Sequence, residues 1–101
     1  MTLELQTIIC STRPARIGPK IAEWFHEFAT RNGHFATKLI DLADFHLPIY
    51  DEPHHPRFQK YEKEHTKRWS ESVAAADAYV FVTPEFNYCP PPSFLNALNY
   101  L

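Results

Sequence analysis

The sequence predicts an α/β architecture, a parallel sheet with helices on both faces. Three observations carry that prediction. Apolar runs of strand length recur at residues 5–10, 35–42 and 78–83. Between them lie longer segments with the 3.6-residue period of an amphipathic helix. Each strand is therefore separated from the next by a crossover that holds a helix, and such crossovers give parallel strands with helices layered on both sides.

LQTIIC, residues 5–10, is rich in Ile and stops at a Ser-Thr-Arg-Pro loop, as a buried strand does. The first helix begins near Gly18. Ile21, Trp24, Phe25 and Phe28 share one face at i, i+3, i+4 and i+7, and Asn32-Gly33 supplies the stop. Trp24 on that face is expected in the core. FATKLIDL, residues 35–42, is the second strand. In ADFHLPIYDEPHHPRF, Pro48, Pro53 and Pro56 argue for irregular backbone, while Phe45, Leu47, Ile49 and Tyr50 suggest a loop packed on the body. From about Gln59 to Ala76 a charged, periodic stretch reads as the second helix, with Trp69, Val73 and Ala76 inward and the YEKEHTKR run in water. AYVFVT, residues 78–83, is apolar on both faces of the pleat and reads as an interior strand. A Pro-punctuated loop, PEFNYCPPP, then leads into a short third helix, SFLNALNYL.

Bulk properties exclude several function classes. A chain of 101 residues with 45% hydrophobic and 15% aromatic residues is one domain at most, with material for a packed core. Its formal charge of -2 argues against a nucleic-acid surface, which needs clustered excess Lys and Arg. No run reaches membrane-spanning length, and MTLELQTIIC lacks the basic flank and long apolar centre of an export signal. Cys10 and Cys89 read as reduced thiols in the cytoplasm. His54-His55 has no Cys or acidic partner at zinc-like spacing, so no metal site is expected.

Ligands of parallel α/β sheets bind at the carboxyl ends of the strands, and both unusual loops lie on that edge. Ser11-Thr12-Arg13, running into a helix near Gly18, gathers hydroxyls, backbone amides, a guanidinium and a helix N-terminus around one point, which favours a phosphate. The chain has neither the Gly-Lys-Ser/Thr ending of a nucleotide-hydrolysing loop nor a dinucleotide-binding glycine triad. Cys10 and Arg16, five residues between them, resemble the C-x5-R signature of low-molecular-weight protein tyrosine phosphatases, with Cys10 as nucleophile. Against that reading, Pro14 removes an amide, Ile17 replaces a thiolate-stabilising hydroxyl, and no acidic Asp-Pro loop is present.

The second loop gives the stronger lead. Pro84-Glu85-Phe86-Asn87-Tyr88, stiffened by Pro90 to Pro92, suits the edge and face of a flat aromatic ligand. CSTRPARIG and TPEFNYCPPPSFLNALNYL together resemble the NADPH-dependent FMN reductases, the flavodoxin-like quinone and azo reductase group, whose loops read roughly Gly-Ser-x-Arg and Pro-Glu/Gln-Tyr-Asn. LIDLADFHLPIYDEP and HTKRWSESVAAADAYVFVTPEFN extend the likeness over nearly the whole chain.

That resemblance implies a flavodoxin-like fold and bound FMN. Ser11, Thr12 and Arg13 would hold the phosphate, Arg16, Ile17 and Gly18 would close the loop, and Pro84, Glu85, Phe86, Asn87 and Tyr88 would border the isoalloxazine. It also implies hydride transfer from NADPH to a quinone, flavin or similar small acceptor with no catalytic side chain, and a homo-oligomer, a dimer. Cys10 and Ala15 stand where the pattern has Gly, and are expected to crowd the phosphate; Tyr88-Cys89 is expected to narrow the acceptor site. A flavodoxin-like sheet has five strands. Residues 1–101 are thus expected to be the N-terminal portion of a single FMN-binding domain, truncated after the third strand and its following helix, and inactive alone. The third strand would then become an edge. The alternatives are a non-catalytic flavodoxin-like binding or dimerising module and the C-x5-R phosphatase.

Overall fold

The computed structural model describes residues 2–101. Strands β1 (Glu4–Ile9), β2 (Ala36–Asp41) and β3 (Ala78–Val82) form a parallel sheet in the order β2-β1-β3. Helix α1 (Gly18–Asn32) connects β1 to β2, α2 (Glu64–Ala74) connects β2 to β3, and α3 (Pro92–Asn99) follows β3. Among the described residues β1 is the interior strand and β3 lies at the edge of the sheet.

Period-two alternation along β1 sorts its side chains into two layers. Ile8 and Cys10 enter a core cluster with Trp69 of α2, Ala97 of α3, Tyr100 just beyond it, and Leu42 and Phe45 after β2. Ile9 faces the start of α1. The centre of the larger layer is Trp69, whose indole N–H donates to the Ala97 carbonyl at 3.0 Å and whose ring meets Phe45 edge-on. Full burial of such an aromatic contributes about 1.5–3 kcal/mol.

On the other face α1 packs through Ala22 and Ala29, whose small side chains let the helix sit close to the sheet. Trp24 is not in the core: it is 63% exposed and stacks on Phe28, also exposed. The stripe seen in the sequence is real, yet the helix turns the adjacent Ala positions to the sheet. At the C-terminus Gly33 donates its N–H to Ala29 O, and a Cβ there would stand 2.8 Å from that oxygen. The stop therefore rests on close approach.

The Pro-rich connection is more regular than its composition suggests, with 3₁₀ turns at Leu42–Phe45 and Pro56–Phe58. It is clasped from several sides. Tyr100 donates its hydroxyl to Pro48 O at 2.9 Å and to Asp51 Oδ1 at 3.1 Å, and His65 Nε2 reaches the same carboxylate oxygen. Burial and the neighbouring Asp51 push the Tyr100 phenol up to about 12. Asn96 grips Pro48 O and the Tyr50 N–H.

Helix α2 starts at Glu64, five residues later than its charge pattern predicts. Gln59 turns into the left-handed region with φ 52, and buried Glu52 then takes the N–H groups of Glu62 and Lys63 at 2.8 and 2.9 Å. Burial works against its charge, and these donors outweigh it, so the Glu52 carboxyl titrates below its ordinary value. Glu52→Ala would strand two backbone donors at the entry to α2. The expected cost is about 2 kcal/mol, read as a lower urea midpoint with an unchanged denaturant slope.

Candidate functional site

The loops after β1 and β3 meet across one cleft at the carboxyl end of the sheet. Its volume is about 280 Å³, and Ser11, Arg13, Arg16, Ile17 and Gly18 line one side while Pro84, Glu85 and Phe86 line the other. Eight of the residues expected from the sequence are thus brought together. The cleft also takes Ile21, Val82 and Thr83. Ile21 carried a signal as the residue one turn into α1, and Val82 and Thr83 as the strand end entering Pro84, but the motifs themselves start and stop short of all three.

Ser11 is the centre of the cleft's polar wall. The residue is 3% exposed, and among the described residues its Oγ has no hydrogen-bond partner. That hydroxyl lies against Gly18, where a Cβ would collide with it. A glycine at the helix start therefore keeps open a space that a buried hydroxyl faces. Among the described residues no side chain caps the first turn of α1; Pro19 lacks an N–H and Lys20 and Ile21 donate theirs to Ile17 O, which leaves the Gly18 N–H beside the Ser11 hydroxyl for an anion. The residues present fit a phosphate.

Arg16 does not join that wall as a free cation. Its Nη1 and Nη2 donate to Asp41 Oδ1 and Oδ2 at 2.7 and 2.6 Å, and Nη1 also donates to Ser11 O at 2.7 Å. The guanidinium spans from the end of β2 to the loop after β1 and holds that loop's shape. These hydrogen bonds, helped by the Ala43 N–H, hold the Asp41 carboxyl below its ordinary value against the opposing effect of burial. Among the described residues the free guanidinium on the cleft is Arg13.

Other expected residues fall elsewhere. Thr12 lines a neighbouring cavity of about 320 Å³ with Leu42, His46 and Ser93. Asn87 and Tyr88 form the tip of a tight turn, with φ of 52° and 67°, closed by Phe86 N–H to Cys89 O at 2.8 Å and Cys89 N–H to Phe86 O at 3.0 Å. Both central residues at positive φ make a type I′ turn. Tyr88 at its tip is 93% exposed and does not border the cleft.

The phosphatase reading fails on geometry. Cys10 is fully buried in the core cluster, its thiol aimed at Ile8 O and pushed by burial up to about 12. A thiol so protonated is no nucleophile, and Arg16 is occupied by Asp41. The same placement corrects the expectation that Cys10 crowds the phosphate, since its side chain points to the opposite face. Ala15 does strain the loop, adopting φ 58 where glycine is at ease.

The model of the family described as NADPH-dependent FMN reductase matches residues 4–101. The chain belongs to that family. It is 39% identical over 103 residues to an NAD(P)H-dependent FMN reductase of Schizosaccharomyces pombe, covering 100% of this chain and 52% of that protein. It is 29% identical over 92 residues to a quinone reductase of Pseudomonas putida, covering 91% of this chain and 46% of the relative. The flavoenzyme NAD(P)H:(acceptor) oxidoreductase FerB from Paracoccus denitrificans shares the fold, with a TM-score of 0.73 at 21% identity over 98% of this chain and 50% of its own. The fold is thus the flavodoxin-like one expected of an FMN reductase family member. The chain spans about half the length of the curated relatives it matches. Among the described residues no helix is long and apolar enough to cross a membrane.

Asp41→Asn tests the clamp. The variant is expected to lose about 2 kcal/mol in urea unfolding at neutral pH. Since the native carboxyl titrates below its unfolded value of about 3.9, the wild-type contribution is complete above that value and disappears as pH falls through the native one. Acid titrations of the two proteins should therefore converge at low pH.

Proposed function

We propose that residues 1–101 form the N-terminal portion of a single flavodoxin-like FMN-binding domain, and that this domain takes hydride from NADPH and delivers it to a quinone, a flavin or a similar small acceptor. The observation that carries this reading is the buried, unpartnered Ser11 hydroxyl facing the space that Gly18 keeps open. Donors of this kind suit a phosphate monoester, and FMN ends in one. Family membership over residues 4–101 supports the same cofactor.

In this reading Ser11 Oγ, the Gly18 N–H and Arg13 bind the phosphate, while Thr12 lines the neighbouring cavity. Thr83 to Phe86 border the ring, with Ile21 and Val82 as apolar walls. Bound FMN supplies the hydride chemistry, and the protein supplies position and electrostatics. No side chain of the cleft is asked to act as nucleophile or general acid. Arg16 and Asp41 are positioning residues. The domain works as a homodimer, and free thiols at Cys10 and Cys89 suit a reducing cytoplasm. A second reading, a non-catalytic binding or dimerising module, is favoured by exposed apolar residues such as Trp24 on α1 and Phe81 in β3.

Titration of the 101-residue chain with FMN and with riboflavin, followed by flavin fluorescence, tests the cradle. FMN is expected to bind at least tenfold more tightly, because riboflavin lacks the phosphate. Ser11→Ala should weaken FMN about tenfold, near 1.4 kcal/mol, and leave riboflavin unchanged. Equal affinities for the two flavins in the wild type would remove the assignment. NADPH oxidation coupled to quinone reduction by the FMN-loaded chain then separates the readings: turnover favours the reductase, and binding without turnover the module.

A further inference from the structure

We propose that Glu85 sets the redox potential of the flavin, its carboxylate opposing the negative charge that hydride transfer places on the ring. The proposal rests on the flavin reading above and deepens it, by assigning the residue that makes the reduced ring a stronger hydride donor.

The charges of the cleft are divided between its two walls. Arg13 stands on the wall formed by the loop after β1 and the start of α1, and Arg16 on the same wall is neutralised by its bidentate pair with Asp41. Glu85 stands on the opposite wall, between Pro84 and Phe86, and is the one carboxylate among the described residues that line the cleft. No cation answers it. The ion pairs among the described residues join Arg16 to Asp41, His54 to Glu62 and His65 to Asp51. Positive charge therefore gathers where a phosphate fits, and negative charge where a flat ring fits.

The backbone fixes Glu85 at its wall from both sides. Pro84 has its φ locked by its own ring one residue before. Phe86, one residue after, is tied to Cys89 by two backbone hydrogen bonds of 2.8 and 3.0 Å. The residue that carries the charge is thus held between a stiff proline and a closed turn.

A hydride carries two electrons and a proton, so its arrival on an uncharged isoalloxazine leaves a net negative charge there. Charge placed near the ring is one of the means by which a protein tunes flavin electronics. A nearby carboxylate raises the energy of the charged, reduced ring and leaves the uncharged, oxidised ring nearly untouched. Uptake of hydride becomes less favourable, and delivery to an acceptor more so. By linkage, the same carboxylate weakens the binding of reduced FMN relative to oxidised FMN by the same factor. A free guanidinium on Arg16 would act in the opposite sense, and its pairing with Asp41 removes that competing field.

The test is a dye-equilibrated redox titration of the FMN-loaded chain in the wild type, Glu85→Gln, Glu85→Asp and Glu71→Gln. Glu85→Gln is expected to shift the two-electron equilibrium about tenfold toward reduced flavin, ~30 mV in midpoint potential. Glu85→Asp keeps the charge and should stay near the wild type. Glu71→Gln removes an exposed carboxylate on α2, outside the cleft, and should leave the potential unchanged. Because Glu85 is exposed, added salt should screen it and raise the wild-type potential toward that of Glu85→Gln, a measurement that stands even where the variant fails to fold. An FMN-loaded wild type whose potential matches Glu85→Gln, ignores salt, or moves equally in Glu71→Gln overturns the role of Glu85 and leaves the flavin site standing. A chain that binds FMN no more tightly than riboflavin overturns the flavin reading and this assignment together.

Discussion

The parity of β1 governs the rest of this molecule. The strand is the only one in the described sheet with a neighbour on each side, and Leu5 through Ile9 are all buried. Alternation then decides what happens just past its end. Cys10 follows Ile8 into the core, and Ser11 follows Ile9 toward the start of α1. A shift of one residue would put a hydroxyl in the core and a thiol in the cleft, trading an anion cradle for the geometry of a cysteine nucleophile. The register is held by Trp69, Ala97 and Tyr100 on one face and by the small residues of α1 on the other. Core packing and site chemistry are thus one constraint, and the further link from Ser93 Oγ to Cys10 O ties α3 to the same strand end.

Arg16 shows why charge near a phosphate loop is not the same as charge offered to a phosphate. Its planar fork matches a carboxylate in bidentate fashion, and Asp41, at the end of the neighbouring strand, sits within reach. Once paired, the guanidinium has little field left for an anion, but its third hydrogen bond fixes the Ser11 carbonyl. The loop after β1 is therefore shaped from β2, while among the described residues the Ser11 hydroxyl, the Gly18 N–H and Arg13 stay available. The division separates the group that positions the loop from the groups that face the open cleft.

How much of this was legible follows from how local each signal is. Strand order, helix positions and the joining of the two loops were readable, because hydrophobic periodicity and the crossover rule act over short stretches or as topology. The Arg16 to Asp41 pairing spans 25 residues and needs the sheet to exist first. Helix α2 starts later than its pattern suggests because Gln59 to Lys63 look helical in isolation, while the carboxylate that claims the N–H groups of Glu62 and Lys63 is Glu52, supplied by a loop. The α1 stripe misled in another way. Periodicity locates an apolar face without saying what covers it, and Ala22 and Ala29, too small to stand out in a pattern of large residues, are the ones that meet the sheet. Asn87-Tyr88 could have been read as a type I′ turn from Asn alone, but Tyr in place of the usual Gly hides the motif.

The placement of glycine brings these points together. The chain has two glycines, and neither has positive φ. Both stand where backbone or side chain comes too close for a Cβ, Gly18 beside the Ser11 hydroxyl and Gly33 above the Ala29 carbonyl. Positive φ falls instead on Ala15, His46, Gln59, Asn87 and Tyr88. Three of these lie in the two site loops. Each such residue costs about 1–2 kcal/mol relative to a relaxed backbone, a strain that persists only where the surroundings over-determine it. Around Ala15 that determination comes from the Arg16 clamp, and around Tyr88 from the Phe86 to Cys89 bonds and the prolines that follow. Loops held so firmly present their amides in a fixed array, and a fixed array binds a phosphate or a planar ring without first giving up the entropy of ordering itself.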